Sequence, residues 1–115
     1  MARTALVPTA VGAAGVDPGG VAVAAQLTDG NSFPWAEHRH LYVANAAATD
    51  VTVTVQTPAT VGAQALAVAD ATYTVPAGGD LLLPKLGWEF RRPDGAVWVD
   101  YAGAAASVTV AVLDL

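Results

Sequence analysis

His38 and His40 flank Arg39, and Glu37 stands immediately before them. On a strand, residues two apart share a face, so the two imidazoles have the spacing of a two-ligand metal site. A catalytic zinc takes a third protein ligand, and nothing in the sequence marks one. The pair therefore reads as the surface start of a strand. Ser32 and Ser107 are the only serines, and neither sits in a Gly-x-Ser-x-Gly elbow. Glycoside hydrolysis needs two facing carboxylates, and Glu37 and Glu89 are the only glutamates. Asp17, Asp29, Asp80 and Asp94 all adjoin proline or glycine, where aspartate serves turns by accepting from nearby backbone amides. No glycine-rich phosphate loop and no spaced calcium ligands occur. With zero cysteines, disulfides, thiolate metal sites and a thiol nucleophile are all excluded. No catalytic, metal or cofactor residue is assigned, and the chain is read as not an enzyme.

Residues suited to recognition are easier to find. Asn31-Ser32-Phe33-Pro34-Trp35 carries two large aromatics, and Leu86 to Pro93 carries Trp88 and Phe90. Lys85, Arg91 and Arg92 put three of the five bases in the second cluster. Aromatics and arginine are the types enriched at binding hot spots. The same tryptophans would equally plug the ends of a sandwich, and Trp98 between Val97 and Val99 is compatible with core or partner. Phe33, Trp35, Leu82, Trp88, Phe90, Arg91 and Arg92 are the candidate partner contacts. Leu82 joins them because Leu81, Leu82 and Leu83 cannot all face one core on an alternating strand.

The elements that would position these residues are strands. Val51 to Gln56 alternates valine with threonine and glutamine, and Arg39 to Asn45 alternates about Leu41 and Val43. The five residues between them suit a hairpin loop. Ala71 to Val75 and Asp80 to Leu83 read as a second hairpin through Pro76-Ala77-Gly78-Gly79, since proline presets a turn and glycine supplies positive φ. Ala96 to Tyr101, entered through Pro93-Asp94-Gly95, and Ser107 to Leu113 complete the clear strands. Thr4 to Val7 and Gly20 to Gln26 are weaker ones, and Val61 to Asp70 reads as loop or irregular strand. Six to eight short strands at this spacing predict an all-β fold, a small antiparallel sandwich or barrel. Residues 1–20, with Pro8, Gly12, Gly15, Pro18, Gly19 and Gly20, read as a flexible N-terminal arm before a single β domain over 21–115.

Composition narrows the partners. The chain of 115 residues is 54% hydrophobic, mostly alanine and valine, and only 13% charged. An ordinary domain is about 25% charged, so little here keeps an isolated surface soluble; the composition fits an alanine-rich product of a GC-rich genome, a surface largely covered by partners, or both. Ten acids against five bases give a net charge of −5. Nucleic-acid binding needs a basic footprint, so none is expected. Pro8 and Gly12 interrupt the apolar start before it reaches the length of a secretory leader, and no run is long enough for a membrane span.

Taken in order, MARTALVPTAV, DGNSFPW, LYVANAAATDVTVTVQTP, LAVADATYTVPAGGD, DGAVWVDY and VTVAVLDL resemble a group of small virion proteins of tailed bacteriophages and prophages of high-GC hosts. The resemblance covers nearly the whole chain and rests on strand-and-turn signatures. It implies a capsid decoration (head cement) protein on the outer surface of the virion, assembled in the host cytoplasm. The major capsid protein would be its partner, and it would self-associate, as a homotrimer. Residues 85–92 depart from the pattern, Lys85 to Arg92 standing where a "GPFP"-like segment is expected. Another virion component (a tail-tube, tail-terminator or head–tail joining protein) and a carbohydrate-binding module stacking sugars on Trp35 and Trp88 are the alternatives.

Overall fold

Valine alternating with threonine builds the centre of the molecule. β-branched side chains suit a pleated surface, and a period of two sends Val51, Val53 and Val55 to one side. In the computed structural model, which describes residues 3–58, 60–61, 63–64, 66–67, 69–103 and 107–114, these three valines are fully buried and Thr52 and Thr54 are half-buried on the other face. The same logic repeats along the chain. Its strands are β1 (Thr4–Ala5), β2 (Pro8–Ala10), β3 (Val23–Ala24), β4 (Asn31–Pro34), β5 (Arg39–Asn45), β6 (Val51–Val55), β7 (Thr60–Val61), β8 (Leu66–Ala67), β9 (Ala71–Val75), β10 (Asp80–Leu82), β11 (Ala96–Ala102) and β12 (Val108–Asp114). Helical structure among the described residues is limited to one turn, α1 (Pro18–Val21), and a 3₁₀ turn over Trp88–Phe90.

The strands form a small all-β sandwich. One sheet runs β1-β4-β11-β6-β9 and the other β10-β5-β12, with β2 and β3 sharing the far edge of β12. Their facing sides meet in a core of Val43, Val51, Val53, Val55, Val75, Val97, Val99, Val110 and Val112, closed by Phe33, Leu41 and Leu83. Each fully buried valine contributes about 1.5–3 kcal/mol relative to exposure.

Consecutive strands alternate between the sheets: β4 to β5 to β6, then β9 to β10 to β11 to β12. This corrects both expected hairpins. β5 does not pair with β6, because β12 takes one edge of β5 along its whole length, from Val108 opposite Asn45 to Asp114 opposite Arg39, and β10 takes the other opposite Tyr42 to Ala44. Nor does β9 pair with β10. The Pro76–Gly79 turn forms as expected, with Gly79 N–H donating to the Pro76 carbonyl at 2.9 Å and Gly78 at φ 72°, but it carries the chain across the sandwich. Asn45 fixes both crossings. It is 2% exposed, its Nδ2 donates to the carbonyls of Thr49 and Val75 at 2.8 and 3.2 Å, and its Oδ1 accepts from Ala47 N–H at 2.9 Å.

Within the two large sheets, among the described residues, the one connection between neighbouring strands is β6 to β9, and it is long. β7 and β8 pair within it, so the β6–β9 ladder continues as a ribbon. Thr57 holds its base, through N–H to Asp70 Oδ1 at 2.8 Å and Oγ1 to the Ala69 carbonyl at 3.2 Å. The irregular strand expected over Val61 to Asp70 lies here, with residues 62, 65 and 68 outside the described ones.

The N-terminal lead is also corrected, because residues 4–10 are not a free arm. β1 adds parallel to β4, β2 adds parallel to β12, and Leu6 between them is buried at 5% exposure. Proline at the start of β2 is tolerated because an edge strand can forgo one donor.

Candidate functional site

One end of the sandwich gathers the two aromatic clusters. Trp35 leaves β4 with its N–H donating to the Gly95 carbonyl at 2.8 Å, and its indole Nε1–H donates to the Leu86 carbonyl at 3.0 Å. The end of β4 and the 86–95 segment are therefore tied together. Phe90 packs on the core from the 3₁₀ turn, and Leu86 is buried within that core. Arg92 and Gly95 close the turn into β11, with Gly95 N–H to the Arg92 carbonyl and Arg92 N–H to the Ala96 carbonyl, both 2.8 Å. Asp94 caps that turn by accepting from Ala96 N–H at 3.0 Å, the role its neighbour glycine suggested. Asp80 instead accepts from the Tyr42 hydroxyl at 2.7 Å, and this bond raises the tyrosine's pKa.

The outer face of the first sheet carries a ladder that joins distant parts of the chain. Trp98 faces outward from β11, with the Arg92 guanidinium 3.6 Å and the Arg3 guanidinium 4.4 Å from its ring centroid. Cation–π contacts of this kind contribute about 0.5–1 kcal/mol each at an exposed site. Arg3 continues to Asp100 at 2.7 Å and to the Val99 carbonyl at 3.1 Å, and Gln56 bridges Asp100 and Arg92. Burial alone pushes the Asp100 carboxyl up, but the bonds from Arg3 and Gln56 outweigh it and hold the group below the ordinary carboxylate range. Behind the ladder Tyr101 donates to the fully buried Asn31 at 2.8 Å, and burial first, then the Asp100 charge, pushes that phenol well up.

The candidate contacts divide accordingly. Phe33 is 2% exposed and belongs to the core, which removes it as a surface contact: its strand position alternates with Ser32 and Pro34, and the aromatic takes the inward side. Trp35 and Phe90 are half-buried supports of the end loops. With its indole N–H occupied and its ring packed on the core, Trp35 is poorly placed as a sugar platform. The Trp88 side chain lies outside the described residues. Arg91 is exposed and Arg92 half-buried over Trp98. Leu82 is 46% exposed on the outside of the second sheet, as its alternation predicted, and so does not share a face with the Trp98 ladder. Arg3, Gln56 and Asp100 were not singled out from sequence. Alternation in AVWVDY does put Trp98 and Asp100 on one face, but nothing in sequence links that face to Arg3.

His38 is exposed, and His40 Nδ1 donates to the Leu83 carbonyl at 2.9 Å. Among the described residues no group of three His, Cys, Asp or Glu side chains has the geometry to hold a metal ion. Of the five bases, Arg3 and Arg39 are ion-paired, Arg39 gripping Asp114 at 2.6 Å. Lys85 and Arg91 stand exposed on one loop with no ion pair among the described residues. Comparison with known protein families, with curated proteins and with solved structures returns no match.

Proposed function

We propose that the chain is a virion structural protein, a decoration protein that binds the outside of an icosahedral phage head and braces contacts between major capsid protein subunits. The resemblance of its strand-and-turn signatures supports this reading. The structural observation that carries it is the pair of exposed bases Lys85 and Arg91 at the two ends of a loop whose Leu86 and Phe90 pack on the core and whose Leu86 carbonyl is held by Trp35. A charged loop on a packed aromatic base is a docking surface for an acidic protein face. Repetition over a symmetric shell lets individually weak contacts act together.

Copy number tests the assignment. Quantitative densitometry of particles carrying the chain is expected to give on the order of hundreds of copies, since decoration repeats with the shell lattice, whereas a joining ring needs only about a dozen. The docking loop is tested by Lys85→Glu with Arg91→Glu. Both side chains are exposed, so folding should survive. Occupancy on shells should fall by about tenfold or more at physiological salt, and unchanged occupancy would remove this loop from the interface.

A further inference from the structure

The two lateral sides of the sandwich are finished differently. On one side the chain crosses from β1 to β2 and drives Leu6 into the gap, leaving it 5% exposed. On the other side the sheets end in β9 and β10, which are joined only at their ends by the Pro76–Gly79 turn. The inward-facing Ala71, Tyr73 and Leu81 there pack on the core yet stay half-buried. That side is open.

Ladder geometry says which backbone groups it offers. Gln56 N–H donates to the Trp98 carbonyl, so alternate residues Thr52 and Thr54 turn their ladder groups to β11, and Val51, Val53 and Val55 turn theirs to β9. Their partners Val75, Tyr73 and Ala71 are thereby used. Thr72 and Thr74 direct N–H and C=O away from the sheet, with both side chains exposed. Farther along the same edge, the Pro76 carbonyl is taken by Gly79 N–H and faces Asn45 Nδ2. Within β9 the free edge is thus two threonines, and the strand itself carries no lysine, proline or charge, while Asp70 and Pro76 stand immediately outside its two ends.

We propose that two copies of the chain pair antiparallel through β9 about a two-fold axis centred on Tyr73. In that register Thr72 faces Thr74 of the second copy, every free ladder group of both strands is used, and Tyr73 lies against its own counterpart. An isologous contact sets each residue against the same strand reversed, and β9 is symmetric about Tyr73, with a threonine on each side, so its reversed copy offers the same two free residues in matching places. A strand of this symmetry fits a second copy. Pairing makes the first sheet continuous across the dimer and covers the half-exposed Tyr73 and Ala71. This inference stands apart from shell binding.

Sedimentation velocity of the full chain tests it. A dimer that tightens with added salt is expected, because two copies of net charge −5 repel and salt screens that repulsion. Thr72→Lys with Thr74→Lys sets like charges opposite each other twice and should weaken the dimer by about tenfold. Thr72→Lys with Thr74→Glu sets opposite charges across the axis in this register alone and should restore it. Circular dichroism monitors folding at these exposed positions. Should the variants misfold, amide exchange of the unaltered chain decides, with Thr72 and Thr74 amides protected in the dimer and losing that protection on dilution. A monomer at all concentrations, a trimer, a dimer indifferent to the double lysine change, or failure of the charge swap to restore it would each overturn the proposed pairing.

Discussion

Asn45 is the residue on which the topology turns. A buried amide is costly unless satisfied, and this one is satisfied by groups from two separate crossings between the sheets. Asn45→Ala would strand the Ala47 amide and leave the buried Val75 carbonyl short of a donor, so a loss of about 3 kcal/mol is expected in denaturant unfolding. Asn45→Asp should cost at least as much, since a carboxylate would then face carbonyl oxygens. Asp100 and Asp114 define the acid limit. For Asp114 the Arg39 bond is the main cause of its lowered pKa; for Asp100, bonds from Arg3 and Gln56 overcome burial. Both folded-state values lie below the unfolded value of about 3.9, so the native state binds protons less readily than the unfolded chain. Their stabilisation is complete above about pH 4 and is lost as pH falls through the lower folded values. Thermal unfolding between pH 7 and pH 2 should show that acid limb, and Asp114→Asn should flatten it.

At the scale of elements, the β7–β8 ribbon is the part the core does not need. None of the buried core side chains among the described residues comes from residues 57–70, and Leu66 is 61% exposed. Replacing residues 58–68 by a two-residue Asn-Gly turn between Thr57 and Ala69, a pair whose ladder groups face each other, should leave the circular dichroism spectrum intact and shift the melting temperature by only a few degrees. The sequence revealed the strands better than their partners, for a physical reason. Alternation in VTVTV or RHLYVAN states which face is buried, and that face is the same whether the next strand lies beside it or across the core. Pro-Ala-Gly-Gly likewise specifies a reversal but not the sheet in which the chain lands. The glycines before residue 20 suggested freedom, while the two short pairings of residues 4–10 depend on strands far along the chain. Phe33 was misplaced because aromatics suit cores and contacts alike. The Arg3 clamp on Trp98 was not legible at all, since it is a meeting of sequence ends.

For the whole molecule, the direction of the edge strands matters as much as their presence. β2 lies parallel to β12, with Pro8 opposite Val112 and Ala10 opposite Asp114, and β1 lies parallel to β4. Pulling the beginning of β2 away from the end of β12 slides the two strands along each other. Their ladder bonds are then loaded side by side and have to fail together, whereas an antiparallel end hairpin would open one bond at a time. The Arg39–Asp114 pair further anchors β12 to β5 at the loaded end. A chain held by its two ends in a force spectrometer is therefore expected to yield in a single high-force rupture. Arg39→Ala should lower that force, while a variant pulled from Ala77 and Asp114, whose path bypasses β2, should yield earlier. The short N-terminal strands thus act as a mechanical clasp, resisting tension along the molecule out of proportion to the few residues they contain.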